Sequence, residues 1–215
     1  MAIKVFMVDD HALVRAGMAA ILSGEVDIQI VGEAESGEQA LPLIRKLKPD
    51  VVLCDLHLPG ISGFEVTERI VKGDYGPRVI VVSVLEDGPM PRRLIEVGAS
   101  GYVGKGGDAS ELVRAVRAVA RGNRYLASGV AQHLALSSMA GGASPLDGLS
   151  PRELQIAMLI GQGTRQQDIA TRLNLSPKTV STHKTRLFAK LGVRDSIALN
   201  RLLQQYGVSD PAQSG

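Results

Sequence analysis

Three carboxylates, a hydroxyl and an ammonium stand at the ends of short apolar runs in this 215-residue chain. Val5-Phe6-Met7-Val8 runs into Asp9 and Asp10, and Val51-Val52-Leu53-Cys54 runs into Asp55, followed by Leu56-His57-Leu58-Pro59-Gly60. Val79-Ile80-Val81-Val82 ends in Ser83, and Gly101-Tyr102-Val103-Gly104 ends in Lys105. Buried parallel strands read as apolar runs of this kind, and open α/β sheets carry their chemistry at the carboxyl ends of their strands. Gathered there, Asp9, Asp10 and Asp55 form an oxygen-rich, incompletely filled set that suits Mg²⁺ and leaves room for waters and a phosphoryl group. A nucleophilic Asp55, a cation and Lys105 to neutralise phosphoryl oxygens, and Ser83 as hydrogen-bond donor are the parts that phosphoryl transfer to a carboxylate requires. Singly, each has an ordinary role: Asp55 would cap a turn, and Lys105 would solvate a loop.

The spacing predicts the elements that must hold these residues. A strand over residues 3–8 is followed by a helix from about His11 to Ser23, with Leu13, Val14, Gly17, Met18, Ile21 and Leu22 on one face and Gly24 as its stop. A second strand covers 28–32, and the capping box Ser36-Gly37-Glu38-Gln39 opens a helix that Pro42 should kink. Ser62-Gly63-Phe64-Glu65 opens a third helix, 79–83 is a strand, and a helix from Pro91 to Val97 leads to the short strand at 101–104. Asp108 caps a fifth helix that carries Leu112, Val113, Val116, Val119 and Ala120 on one face. Five β/α alternations predict an α/β fold, a doubly wound five-stranded parallel sheet.

Hydrophobic residues make up 45% of the chain and charged residues 21%, a globular balance. No apolar run approaches the roughly 20 residues that span a bilayer, and the short apolar stretch at the N-terminus reads as a strand rather than a signal peptide. Cys54 is the only cysteine, which excludes an internal disulfide and fits a reducing compartment. These features predict a cytoplasmic protein without a membrane partner, with Cys54 as a small core residue. Charge is unevenly spread: residues 1–127 hold 15 Lys/Arg against 17 Asp/Glu, whereas residues 148–215 hold 9 against 4. The basic end points to nucleic acid. Between them, residues 128–147 join an Ala/Leu-rich helix at 128–138 to the small, polar stretch 139–145, and read as a linker.

Residues 148–215 read as an all-α module. Ser150-Pro151-Arg152-Glu153 is a capping box with proline at the first helical position. A helix ending near Gly161, a second opened by Thr164-Arg165-Gln166-Gln167, and a third from Ser176-Pro177 past Lys190 form a helix-turn-helix pattern. On the third helix Val180, His183, Leu187 and Leu191 share the inward side. That leaves Lys178, Ser181, Thr182 and Thr185 on a polar face suited to a major groove. Ser181, Thr182 and Thr185 are the candidate base contacts; Lys178, Thr179, Lys184, Arg186 and Lys190 are the candidate phosphate contacts. His183 reads as packed or phosphate-bonded, not as a metal ligand, since no second ligand stands at suitable spacing.

Residues 1–127 resemble the receiver domain of two-component response regulators, on Asp9-Asp10, Asp55 with Leu58-Pro59-Gly60, Ser83, and Gly101-Tyr102-Val103-Gly104-Lys105. The resemblance implies that Asp55 is the phosphoacceptor, served by a sensor histidine kinase or phosphotransfer protein. It also implies that Asp9, Asp10, Asp55 and the His57 backbone carbonyl hold Mg²⁺. Ser83 and Tyr102 match the family's switch pair, in which the hydroxyl moves toward the phosphoryl group and the ring turns inward. Gly106 follows the lysine where many receivers have proline, so a cis peptide is not expected there.

Residues 148–207 resemble the LuxR-type helix-turn-helix domain of the NarL/FixJ family, on Leu149-Ser150-Pro151-Arg152-Glu153, Asp168-Ile169-Ala170, Leu175-Ser176-Pro177-Lys178-Thr179-Val180, His183 and Lys190-Leu191-Gly192-Val193. That resemblance implies double-stranded promoter DNA as partner and a homodimer on DNA. Its contact is a fourth helix at about Asp195 to Tyr206, through Ile197, Ala198, Leu199 and Leu202. The whole chain is similar to the GacA/UvrY subgroup, on Val8-Asp9-Asp10-His11 with Leu13-Val14-Arg15-Ala16-Gly17, and on Tyr125-Leu126-Ala127-Ser128. This implies a global transcriptional regulator under a membrane sensor kinase. Other readings are a receiver-type regulator that does not use phosphate, a ligand-sensing LuxR-type regulator, and a Mg²⁺-dependent aspartyl-phosphate phosphatase. The last usually needs a second acid two residues after the nucleophile, where this chain has His57.

Overall fold

The computed structural model describes residues 2–73, 76–84, 89–139 and 144–206. The chain divides into two compact units, the division falling after Leu134 within a helix at Ser128–Met139.

The first unit alternates β1 (Ile3–Val8), α1 (Ala12–Ser23), β2 (Ile28–Ala34), α2 (Gly37–Leu47), β3 (Val51–Asp55), α3 (Gly63–Lys72), β4 (Arg78–Ser83), α4 (Met90–Val97), β5 (Gly101–Gly104) and α5 (Ala109–Ala120). A sixth strand, β6 (Tyr125–Leu126), corrects the expected count of five. It pairs in parallel with β5 through Gly101 and Tyr102, and two residues are too few to show an alternation in the sequence. All pairs are parallel, in the order β2-β1-β3-β4-β5-β6. The winding reverses between β1 and β3, so the ends of these two strands open the crevice in which such sheets bind ligands. β3 and β5 are buried throughout, and β1 and β4 are buried from Val5 and Val79 onward; α1 and α5 cover one face of the sheet with Met18, Leu22, Leu112, Val116 and Val119.

Two local expectations change. Leu13 is 85% exposed and Gly17 is also at the surface, while Arg15 is buried on the face that carries Met18 and Leu22. The guanidinium tolerates burial because the Asp9 carbonyl accepts from Nη1 at 2.6 Å and Glu35 accepts from Nη2 at 2.8 Å. α2 runs through Pro42 from Gly37 to Leu47, and Ser36 accepts from the Gln39 N–H, but the Gln39 side chain returns to the N–H of Glu35 rather than of Ser36. Residues 105–106 are joined by a trans peptide, as expected with glycine after the lysine.

α6 (Ser128–Met139) follows β6. Ala127 and Val130 are buried, and the Ala127 N–H donates to the Tyr102 carbonyl, so the entry to this helix belongs to the first unit although the linker was expected to start at residue 128. Of the expected flexible stretch, residues 140–143 lie outside the described residues.

Beyond the end of α6 the second unit has a 3-10 turn at Pro145–Gly148, then α7 (Pro151–Gly161), α8 (Gln166–Arg172), α9 (Pro177–Leu191) and α10 (Ser196–Gln205). The Ser150–Glu153 capping box is reciprocal, as expected. α8 is capped by Arg165 without a side-chain bond, so Thr164 is not its cap. Asn174 supplies the left-handed turn between α8 and α9, φ 50°. Leu154, Ile156, Ala157, Ile169, Val180, Leu187, Leu199 and Leu203 make the core. Leu199 was expected at a dimer contact; it has no exposed surface, since it and Leu203 form the α10 face that packs on α7. Ile197 is 67% exposed, and Ala198 and Leu202 are partly buried. Among the described residues no helix is long and apolar enough to cross a membrane.

Candidate functional site

The sheet brings all five predicted residues to one edge. Asp9 follows β1, Asp55 ends β3 beside it, Ser83 ends β4, and Lys105 follows β5, its N–H donating to the Ser83 carbonyl at 2.8 Å. Asp9, Asp55 and Ser83 are buried, and Asp10 is largely covered. Lys105 Nζ lies 2.7 Å from Asp9 Oδ2 and 3.1 Å from Asp55 Oδ2, with only 12% of its side chain exposed.

One ammonium among three carboxylates makes a strained electrostatic balance. Burial pushes the Asp55 carboxyl above the ordinary range, the Lys105 charge pulls it down, and the Asp9 charge pushes it up again. Burial works against the Lys105 ammonium, yet the Asp55 and Asp9 carboxylates outweigh it and hold its pKa above the usual value. Burial also pushes the Cys54 thiol far up, as suits a core residue.

Asp9 Oδ2 and Asp55 Oδ2 are buried against the Lys105 ammonium, and Asp10 Oδ1 is buried 2.8 Å from His11 Nδ1. Ligand atoms of Asp9, Asp10, His11 and Asp55 all lie within 4.8 Å of one another. Hard carboxylate oxygens with excess negative charge and spare lone pairs fit a divalent cation. Of His57, the structure places the backbone N–H toward the Asp55 carboxylate. Tyr102 has no exposed surface, so its ring stands in the inward orientation.

Three residues that support the site were not singled out from the sequence. Arg15 ties α1 to the carbonyl of Asp9, and Glu38 on α2 accepts the Ile61 N–H at 3.0 Å, pinning the loop that follows Asp55. Gly63, the first residue of α3, lies so close under the β3 end that a β-carbon there would collide with the Asp55 carbonyl oxygen. Arg15 left a signal in its place on the Met18–Leu22 side of α1; Glu38 and Gly63 left none.

On the second unit, α9 exposes Lys178, Ser181, Thr182, Thr185 and Arg186, and partly covers Thr179, His183 and Lys184. Thr182 Oγ1 donates to the Lys178 carbonyl at 3.0 Å and Thr185 Oγ1 to the Ser181 carbonyl at 3.1 Å, so both hydroxyls offer acceptor lone pairs outward. Lys184 Nζ sits 5.3 Å from the centre of the Phe188 ring. Around His183, burial and the Arg152 charge hold the imidazole below its ordinary pKa, with Glu153 opposing and Arg186 assisting.

Lys190, an expected phosphate contact, is otherwise engaged. Its Nζ donates to Glu153 Oε2 at 2.6 Å, and the same carboxylate caps α7 by accepting the Ser150 N–H at 2.7 Å. Burial acts to raise the Glu153 carboxyl, but Lys190 and Ser150 win and hold it below the usual range. A group lowered on folding stabilises above its unfolded pKa, and the gain is lost as pH falls through the folded value. Lys190→Ala therefore costs ~1.5 kcal/mol at neutral pH. In urea titrations of the full chain that cost disappears once Glu153 is protonated; an equal cost at neutral and acid pH would contradict the pairing.

Residues 5–117 match the response regulator receiver domain family, which is more than half the chain. This chain belongs to the response regulators. Residues 147–203 match the luxR family of bacterial regulatory proteins, so a receiver is joined to a LuxR-type module. The chain is 44% identical over 212 residues to the response regulator GacA of Pseudomonas aeruginosa, covering 98% of this chain and 99% of that one. It is 41% identical over 208 residues to the response regulator UvrY of Escherichia coli, covering 96% and 95%. Among solved structures it is similar to RcsB of Salmonella enterica serovar Typhimurium bound to the promoter rprA in the presence of the phosphomimetic BeF3⁻. That match has TM-score 0.69 and 26% identity, over 95% of this chain and 99% of that one.

Proposed function

We propose that this response regulator takes a phosphoryl group on Asp55 from a sensor histidine kinase or phosphotransfer protein and thereby controls binding of its LuxR-type module to promoter DNA. The observation that carries the reading is the placement of Lys105 Nζ within ion-pairing distance of both Asp9 and Asp55 at the carboxyl edge. In this reading residues 1–127 are the receiver, 128–147 the connection and 148–215 the DNA-binding domain. The protein works in the cytoplasm as a GacA/UvrY-like global regulator and not as an enzyme of turnover.

An Asp55 oxygen attacks phosphorus, and the donor's imidazole leaves with the electrons of the broken P–N bond. Asp9, Asp10, Asp55 and the His57 carbonyl would hold Mg²⁺, which supplies neutralisation of phosphoryl oxygens. Lys105 neutralises a further oxygen and shields the nucleophile from the Asp9 charge. Ser83 donates to the phosphoryl group, and Tyr102, inward beneath it, couples that bond to the β5 surface. On DNA, Ile197 with Ala198 and Leu202 supplies the dimer contact, while Leu199 belongs to the core.

Ser181, Thr182 and Thr185 face base edges. Lys178, Thr179, Lys184 and Arg186 face phosphates, with His183 packed at the margin. Lys178→Ala weakens binding to all sequences alike and lowers the salt slope by about 1, whereas Thr182→Ala changes preference among sites by about 1–3 kcal/mol per base pair. Binding titrations over a range of salt and operator variants separate the two. The reverse pattern would refute this division of labour.

A further inference from the structure

We propose that a cavity in the second unit, between α7, α8, α9 and the start of α10, binds a small aromatic carboxylate of about the size of benzoate, and that this occupant competes with DNA for Lys184.

The cavity has a volume of about 180 Å³. Its walls include Ile160, Ile169 and Val180, the last two buried in the core of the unit. An apolar cavity of about 150 Å³ accepts one benzene ring, so a single ring fits here. Gln166 also lines the space, and its Nε2 donates to the Pro177 carbonyl at 2.9 Å, which holds that wall in place.

Three polar groups line the same space without a partner. Thr164 and Ser196 each bring a hydroxyl that makes no hydrogen bond among the described residues. Lys184 brings an ammonium with no carboxylate at ion-pairing distance among the described residues; Nζ rests 5.3 Å from the centre of the Phe188 ring. Apolar walls with a few convergent polar groups are the make-up of a small-molecule site. The unpaired cation selects an anion, the hydroxyls supply donors to a carboxylate, and the aliphatic walls favour a ring over a hydrated inorganic ion. Lys184 is also a proposed phosphate contact, so ligand and DNA draw on one ammonium. That competition rests on the DNA-binding reading of α9, whereas the site itself does not. The ordinary alternative is a solvent-filled recess between helices, which benzoate would leave empty.

The test titrates the full-length protein, labelled at its isoleucine δ1 methyl groups, with sodium benzoate by NMR, against sodium acetate at equal ionic strength. Saturable ring-current shifts are expected at Ile160 and Ile169, with a Kd of about 1 mM, as suits so few ligand atoms. Lys184→Met keeps the stem without the charge and should weaken binding at least roughly fivefold, while Lys184→Arg retains it. Benzyl alcohol, with the ring but no charge, should lose as much. In anisotropy titrations with a random-sequence duplex at low salt, benzoate at ten times its Kd should lower DNA affinity about tenfold relative to acetate.

Absence of shifts at Ile160 and Ile169, or equal shifts at isoleucines elsewhere, overturns the site. Undiminished binding by Lys184→Met or of benzyl alcohol overturns the carboxylate assignment, and saturable binding without loss of DNA affinity overturns the competition. If the protein fails to bind the duplex even in acetate, the DNA-binding reading of α9 fails instead, and the methyl shifts still decide the site.

Discussion

Gly63→Ala removes phosphoryl transfer at Asp55 and lowers the stability of the first unit by about 3 kcal/mol. The β-carbon would collide with the Asp55 carbonyl oxygen and stand 2.8 Å from the Asp55 carbonyl carbon and from the Leu56 Cα. These are backbone atoms of a wholly buried strand end, so no side chain can swing aside. The Gly63 carbonyl also accepts Thr67 Oγ1 at 2.7 Å, and its N–H donates to the Leu56 carbonyl at 3.1 Å, so α3 cannot retreat without breaking both bonds. Alanine is the better helix former, which would favour the variant if space were not limiting. Gly106→Ala is the matched control, because a β-carbon there meets nothing within 4 Å. Urea unfolding of the two variants should separate them widely, and equal stabilities would show that the β3–α3 junction is looser than the structure has it.

Lys105→Ala slows adduct formation from a small phosphodonor by about 10²–10³-fold, the usual loss when one preorganised donor to a developing charge is removed. Two effects act in the same direction. The phosphoryl oxygens lose a cation, and Asp55 loses the charge that opposes burial, so its carboxyl rises further and less of the nucleophile is ionised at neutral pH. The difference between wild type and variant should therefore narrow as pH rises and Asp55 ionises in both. Time-resolved intact mass at several pH values reads this directly; a variant that reacts at the wild-type rate would remove Lys105 from the mechanism.

The edge residues were legible because each ends an apolar run long enough to be a buried strand, and a parallel sheet fixes which ends of its strands lie together. What the chain could not show was set by contacts distant in sequence. Hydropathy put Leu13 on the buried face of α1 and Arg15 outside it; the exchange depends on the Asp9 carbonyl and Glu35, which meet the guanidinium only in the folded unit. Lys190 read as a phosphate contact because its partner, Glu153, lies 37 residues upstream. On α10 the spacing allowed more than one apolar face, and only packing on α7 assigns Leu199 inward and Ile197 outward. Gly63 resembled any glycine at a helix start until the β3 carbonyl above it was in place.

The most direct measurement is the intact mass of the full-length protein before and after acetyl phosphate with Mg²⁺, with Asp55→Asn in parallel. The account predicts one phosphoryl adduct on the wild-type chain and none on the variant. An adduct of the same yield on Asp55→Asn, or no adduct on wild type with any donor, would contradict it.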